Sequence, residues 1–270
     1  MGGRNAVERR EFLSAGIASG TMLAVLVGTS MPTAAAATDL SHFKIDGSLL
    51  LQAYRSLVEE HFAGVLRGIR ALAVTGDAQK GDWASARPAL MRLRGDLATA
   101  ATIWFAQPGG SYATTDIGPT DKNLKDRAYF PKVLAGQDIV GDFVVSKSTG
   151  ERAIIIATPV SKQGQVIAVI GVSLSARSIS QMVIDRVGMP GSLTFYALDS
   201  HGQTAIHKDP KEMFEYPSDM GDPSLKSAIE IILFQPKGMV SYRYSGTNRK
   251  AIFDTSELTG WHFVLVQLAK

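Results

Sequence analysis

The chain has 270 residues, of which 45% are hydrophobic and 20% are charged, and its net charge is +3. This composition supports one large domain or two small ones with a proper hydrophobic core, and it excludes a disordered chain. The charge is too small, and the Lys/Arg runs are too short, to indicate nucleic-acid binding. Because the chain has no cysteine, disulfides, thiol nucleophiles and cysteine-based metal sites are excluded as well.

The first 37 residues have the features of an export signal. Arg9 and Arg10 precede an apolar stretch at 15–27, and the alanines at 34–37 offer small residues for cleavage. The arginine pair resembles that of a twin-arginine (Tat) signal, while a Sec signal and an uncleaved anchor in the plasma membrane are the alternatives. No later stretch has transmembrane length. We therefore expect a periplasmic protein that is soluble after cleavage.

Residues 38–100 are predicted to form a helical spine. Apolar residues recur at three- and four-residue intervals from Leu51 to Leu72, which predicts an amphipathic helix over about 48–76. At about 1.5 Å per residue this helix is roughly 40 Å long, enough to carry two smaller units. The apolar stripe also leaves open a homodimer through the long helix. A second helix is predicted over 88–100, with Pro88 in its first turn.

Residues 101–187 are predicted to form a first α+β unit, the distal unit. About five strand-like segments alternate with turn residues, as in an antiparallel sheet. A short helical segment carrying Arg127, Tyr129 and Phe130 is expected to lie across one face of this sheet, with Arg127 at the edge of a pocket. The strands are predicted at 102–106, 112–115, 144–147, 153–160 and 166–174, and a closing helix at 175–187.

Residues 188–270 are predicted to form a second unit of the same kind, the proximal unit. The Gly-Met-Pro-Gly sequence at 188–191 marks the boundary. The order that follows is strand, turn, strand, helix and three strands, which is PAS-like. The strands are predicted at 193–198, 204–207, 239–244, 250–255 and 261–268, and the helix at 222–234 with Asp222 as its N-cap. The fold class is therefore α+β, with two antiparallel-sheet units on a long N-terminal helix.

Several short motifs of the chain resemble those of the double Cache sensor domains, which are extracytoplasmic modules of bacterial chemoreceptors and sensor kinases. These motifs are Asp-Arg-Ala-Tyr-Phe at 126–130, Ala-Thr-Pro-Val at 157–160, Val-Ile-Gly-Val-Ser at 169–173 and Thr-Gly-Trp at 259–261. The resemblance extends over residues 40–270. It implies a long N-terminal helix, a distal unit with a ligand pocket and a proximal unit.

The resemblance also implies that the distal pocket binds a small molecule. Amino-acid-binding members carry Arg-x-Trp-Tyr at the helix and an aspartate near the end of the last distal strand. Here Arg127 matches the arginine, Tyr129 stands at the tryptophan position and Ser173 at the aspartate position. A guanidinium holds a carboxylate through two parallel bonds, but Ser173 cannot supply the charge that an ammonium group needs in a dry pocket. We therefore expect an organic acid rather than an amino acid.

Three further residues are candidates for binding the ligand. Trp104 and Tyr112 would form pocket walls, because ligand sites favour aromatic side chains, and Asp142 lies just before a predicted strand. Hairpin packing would explain the two aromatics equally well, and a structural ion pair would explain Arg127. Lys147 is expected to face solvent.

Nothing in the sequence supports catalysis or a metal site. Gly-x-Ser-x-Gly, His-Glu-x-x-His and phosphate-loop motifs are missing. His201 and His207 lie near Asp199 and Asp209, but alternation in a hairpin directs their side chains to different faces. We therefore expect no cofactor, no metal and no enzyme, but a sensor that signals through a separate, membrane-bound partner. The alternatives are a structural or protein-interaction module without a small ligand and an uncharacterised periplasmic enzyme.

Overall fold

The computed structural model describes residues 46–268, apart from the side chains of Ala100 and Ala101. In this range two antiparallel sheets lie along one long helix, as the predicted α+β class requires. The predicted export signal lies outside the described residues. None of the helices in that range combines the length and the hydropathy that a membrane span requires.

The long helix, α1, spans Gly47–Ala73. It begins where the Asp46 side chain accepts a hydrogen bond from the Ser48 backbone N–H at 2.7 Å, which satisfies one of the free donors of the first turn. Its apolar stripe is buried against both sheets, with Tyr54, Phe62 and Ile69 fully enclosed. The apolar stripe, which left open a homodimer through this helix, is therefore buried within the chain itself.

The second helix, α2, spans Trp83–Asp96, so the prediction that Pro88 opens it was wrong. Asp82 caps the helix by accepting from the Ser85 N–H at 2.9 Å, which starts it earlier than the proline would. Pro88 deprives the Ala84 carbonyl of its helical donor. Since Ala84 is exposed, water can replace that donor.

The distal sheet has six strands in the order β3-β2-β1-β6-β5-β4. Strand β3 was not predicted, and β4 begins earlier than predicted. The helix α3 begins after Tyr129, so Arg127 and Tyr129 precede it instead of lying on it. The bounds are β1 Ala100–Ala106, β2 Ser111–Thr114, β3 Gly118–Asn123, α3 Phe130–Leu134, β4 Ile139–Val145, β5 Arg152–Lys162, β6 Gln165–Ser175 and α4 Ala176–Val187.

The proximal sheet has five strands in the order β8-β7-β11-β10-β9. All five were predicted, together with the helix capped by Asp222, whose side chain accepts from the Ser224 N–H at 2.9 Å. The bounds are β7 Leu193–Leu198, β8 Thr204–His207, α5 Pro223–Phe234, β9 Lys237–Tyr244, β10 Thr247–Thr255 and β11 His262–Gln267. Short 3₁₀ turns lie at Ala78–Lys80, Pro210–Glu212 and Pro217–Asp219.

Each sheet has one face on α1 and the other face under a local helix. Alternation along a strand produces this arrangement, because successive side chains point to opposite faces. In β1, for example, Ile103 and Phe105 belong to the core around α1, whereas Trp104 belongs to a separate cluster under α3. In the proximal sheet Phe195 faces α1 and Tyr196 lies in the cluster under α5.

The two sheets meet at Trp261. Its indole is 2% exposed, and Nε1 donates to the carbonyl of Gly141, in the bulge of β4, at 3.1 Å. Its ring contacts Phe62 of α1 edge-on, with ring centroids 5.6 Å apart. One side chain thus joins the spine, the distal sheet and the proximal unit.

We expect Gly141→Ala to destabilise the fold more than Gly136→Ala. Both glycines have positive φ, +93° and +91°, so both substitutions introduce similar backbone strain of about 1–2 kcal/mol. Only at 141 would the new Cβ be crowded, at 3.1 Å from Thr259 Cβ and 3.2 Å from Trp261 Nε1. Urea unfolding should show an extra loss of about 1–2 kcal/mol for Gly141→Ala. Equal losses of unfolding free energy would mean that the contact of residue 141 with Thr259 and Trp261 tolerates a methyl group.

Candidate functional site

The floor of the candidate pocket is the face of the distal sheet turned away from α1. Trp104 and Ser173 lie there on the neighbouring strands β1 and β6, 3% and 5% exposed, and the Trp104 Nε1 donates to the Ser173 Oγ at 3.2 Å. The indole lies against Gly171, where a Cβ would be 2.0 Å from its Cζ2. The missing side chain at 171 is therefore what allows the ring to lie flat on the sheet.

The cover of the pocket is the segment 123–129, just before α3. Tyr129 packs on Trp104 with ring centroids 6.3 Å apart and is 2% exposed. Burial raises the pKa of its phenol well above the usual value, and the nearby Arg127 charge offsets only part of this effect. The phenol therefore stays protonated at neutral pH and can donate a hydrogen bond.

Arg127 is half-buried at the rim between the cover and the sheet. Its Nη2 donates to the Val145 carbonyl at the end of β4, at 2.7 Å. Its Nε is buried and has no hydrogen-bond partner in the described part of the chain. Leaving a buried donor without a partner destabilises the folded state by about 1–3 kcal/mol, and by more when the donor is charged. An acceptor entering the pocket would recover that energy.

Lys147 lies at the pocket, not in open solvent as expected. Its side chain is 26% exposed, and its Nζ donates to the Asn123 carbonyl at 2.7 Å and to the Asp126 carboxylate. The expectation treated 147 as the end of a strand, but β4 ends at Val145. Lys147 therefore lies in the following turn, where its ammonium group reaches back to the cover.

A cavity of about 20 Å³ remains between the floor and the cover. Five of the six candidate residues line it, and the exception is Asp142. Asp142 is nevertheless close enough for its charge to contribute to the raised pKa of Tyr129. Arg127 and Lys147 are the charged members of the lining, and no described carboxylate belongs to it; Asp126 pairs with Lys147 from outside the cavity. The lining is Thr102, Trp104, Tyr112, Leu124, Arg127, Tyr129, Val144, Ser146, Lys147, Ser148, Ile155 and Ser173.

The size of the cavity limits what it can hold without rearrangement. A cavity needs roughly 10–15 Å³ for one water molecule, so about 20 Å³ accommodates little more than that. Across residues 46–268, no three carboxylate or imidazole side chains converge as a metal site would require. The pocket therefore presents hydrogen-bond donors and positive charge to a ligand. To admit a metabolite, its cover would have to move.

Comparison with solved structures places the fold among bacterial receptor domains. The ligand-binding domain of the amino acid chemoreceptor PctB from Pseudomonas aeruginosa PAO1, solved with L-Arg, superposes with a TM-score of 0.68 at 18% identity, covering 82% of this chain and 93% of that one. The sensory domain of the Campylobacter jejuni chemoreceptor Tlp3 with isoleucine bound gives 0.61 at 16% identity, covering 82% and 91%.

An extracellular ligand binding receptor from Desulfohalobium retbaense gives a TM-score of 0.66 at 16% identity, covering 84% of this chain and 42% of that one. No curated protein matches the chain significantly. A model of the Cache domain family in its double form matches residues 44–270. Double Cache domains are extracytoplasmic sensor domains, and this chain belongs to the Cache domain family.

Proposed function

We propose that this chain is an exported sensor or binding protein that recognises a small organic anion in the distal pocket and signals through a separate, membrane-bound partner. The observation that carries the proposal is the charge of the lining, in which Arg127 and Lys147 are the two charged residues and no described carboxylate takes part, although Asp126 pairs with Lys147 from outside the cavity. The buried, unpartnered Nε of Arg127 supplies the donor that a carboxylate would accept from.

An organic acid fits this lining better than an amino acid. The PctB and Tlp3 domains were solved with L-Arg and with isoleucine, and the ammonium group of such a ligand needs a negative partner in a dry site. Here the Ser173 hydroxyl is neutral and already accepts from Trp104. Asp126, the carboxylate next to Arg127 in the sequence, is already paired with Lys147.

Binding would exchange one set of hydrogen bonds for another. Without a ligand, Arg127 holds the Val145 carbonyl and Lys147 holds the Asn123 carbonyl, so both cations fasten the cover to the end of β4. An anion competes for both side chains, and the small cavity requires the segment 123–129 to move outward as it enters. Such a pair of alternative arrangements is what a ligand needs in order to shift a sensor between states.

The same strand leads from the pocket to the proximal unit. Val145, which accepts from Arg127, ends β4, and Gly141 in the bulge of β4 accepts from Trp261. A displacement of β4 by the ligand would therefore act directly on the contact between Gly141 and Trp261.

Because the apolar stripe of α1 is buried within the chain, a homodimer through this helix would have to use its polar outer face.

A thermal-shift screen of the full chain tests the proposal. Short monocarboxylic and dicarboxylic acids, amino acids and amines are compared, because a ligand that binds only the folded state raises its melting temperature. We expect at least one acid to stabilise the chain, and Arg127→Ala to remove that shift. Losing a charged hydrogen bond should weaken binding by roughly tenfold to a hundredfold.

Arg67→Ala is the matched control, since it removes the same charge from an exposed site on α1, where the side chain is 65% exposed. It should keep the full shift. Stabilisation by amino acids but not by acids, or survival of every acid shift in Arg127→Ala, would contradict the proposal.

The small cavity also favours a second candidate function. If core side chains close the pocket permanently, the chain is a protein-interaction module without a small ligand. In that case no compound class would give a melting-temperature shift that depends on Arg127, and Arg127→Ala would affect stability alone.

A further inference from the structure

The two units differ in the space that each leaves on its covered sheet face. In the proximal unit a cavity of about 270 Å³ lies between the sheet and the segment 207–220, compared with about 20 Å³ in the distal pocket. The two cavities share no lining residue. Ligand pockets commonly begin near 300 Å³, so the proximal cavity has room for a small metabolite without rearrangement.

Strand register brings four polar side chains together on one face of the proximal sheet. Residues directly opposite each other in an antiparallel pair share a face. Tyr196 of β7 is opposite His207 of β8, and Tyr242 of β9 is opposite Arg249 of β10. All four line the cavity, and the two tyrosines are 6% exposed.

Two donors in this lining lack partners. The guanidinium of Arg249 stacks on the Tyr244 ring, 4.4 Å from its centroid, and its Nε is buried with no hydrogen-bond partner in the described residues. The hydroxyl of Tyr196 is buried and makes no hydrogen bond of good geometry in the described residues. Burial raises its pKa well above the usual value, and the neighbouring Tyr242 hydroxyl raises it further, so the Tyr196 hydroxyl keeps its proton and can donate. Tyr242 also lies close to Arg249, so an acceptor on a ligand would take the place of the weakly placed Tyr242 hydroxyl at both donors.

The remaining polar groups restrict the charge of that acceptor. Glu212 accepts from the Tyr244 hydroxyl at 3.1 Å, and Asp209 lies at the rim, where its carboxylate accepts from the Lys211 N–H. The Nδ1 of His207 accepts from the Asp209 N–H at 2.8 Å, and burial lowers the His207 pKa, so the imidazole is neutral. Arg249 is the one cation of the described lining, and both carboxylates already accept hydrogen bonds. The single carboxylate of a ligand can therefore pair with Arg249, whereas a second negative charge would meet Asp209 and Glu212 with no cation to offset them.

We infer that the proximal unit carries a second small-molecule site, one for a monocarboxylic acid with a short apolar chain or ring. Its carboxylate accepts from the Arg249 Nε and the Tyr196 hydroxyl, and its apolar part contacts Leu225 and Met220. Leu268, the last described residue, also lines the cavity, so an occupant contacts the segment that follows β11. This site does not depend on the proposal for the distal pocket.

Titration calorimetry of the full chain with sodium benzoate and sodium butyrate, and with benzamide as the uncharged analogue, tests the inference. We expect one or both acids to bind and benzamide to bind at least tenfold more weakly. Tyr196→Phe, which removes only the hydroxyl, and Arg249→Gln should each weaken acid binding by roughly tenfold. Arg67→Ala on the exposed face of α1 should leave it unchanged.

Three outcomes would overturn the inference. These are no binding of either acid at millimolar concentration, equal binding of benzamide, and retention of full affinity in both proximal variants. The last outcome would move the acid away from the proximal cavity and so separates the two sites. Because Tyr196→Phe preserves the ring, its melting temperature should stay near that of the unsubstituted chain, and its binding can be measured even if Arg249→Gln folds poorly.

Discussion

Gly171→Ala is expected to abolish ligand binding in the distal pocket while also destabilising the chain. The new Cβ would lie 2.0 Å from Cζ2 and 2.3 Å from Cε2 of Trp104, distances at which the indole must move. That movement breaks the bond from Trp104 to Ser173 and displaces Tyr129, which packs on the ring. Overpacking of this kind costs about 1–3 kcal/mol or more, measured by urea unfolding, and calorimetry should detect no binding of an acid whose stabilising effect is lost in Arg127→Ala.

A double-mutant cycle gives the control for this prediction. In a Trp104→Ala background the ring that the new methyl group would strike is gone, so Gly171→Ala should cost little further stability. The coupling between the two sites is expected to reach about 1–3 kcal/mol, as for residues in direct contact. An equal cost of Gly171→Ala in both backgrounds would show that Trp104 does not lie on this glycine.

Trp261→Ala is expected to cost about 3–5 kcal/mol of unfolding free energy, as large aromatic truncations in a core do. The indole lies between Phe62 and Phe263, with centroid distances of 5.6 and 6.1 Å, and it holds the Gly141 carbonyl. A loss of this size is a large fraction of the roughly 5–15 kcal/mol that stabilises a typical domain. Guanidinium or urea unfolding monitored by circular dichroism measures it.

Trp83→Ala is the matched control, because the same atoms are removed from a half-buried position at the start of α2. Its cost should be less than half that of Trp261→Ala, since less apolar surface returns to water. If the two substitutions destabilise the chain equally, Trp261 does not have the joining role that its contacts indicate.

The fold was predictable because its main elements carry strong periodicity. Helix α1 and strands β5 and β6 each bury at least one complete face. Because burial requires apolar residues along that face, it produces the three- and four-residue spacing of α1 and the β-branched runs of the two strands. Strand β3 was missed because it is a polar edge strand that pairs with β2 and is largely exposed. The start of β4 was missed because Gly141 forms a bulge that interrupts the alternation.

The pocket was predictable only in part. Arg127 and Tyr129 came from a motif, and Trp104 from the preference of ligand sites for aromatic side chains. The structure brings these residues together, although their part in binding stays a prediction. Lys147 was missed because its position depends on the residue at which β4 ends. The proximal cavity was not predicted at all, since it depends on the register of several strands, which no local pattern specifies.

The function of the distal pocket is tested most directly by a crystal structure of the chain with an acid whose stabilising effect is lost in Arg127→Ala. We predict that the carboxylate accepts from the Arg127 Nε and that the segment 123–129 lies farther from β4 than in the ligand-free chain. An acid bound away from Arg127, with this side chain still bonded to Val145 and the cover unmoved, would contradict the proposal.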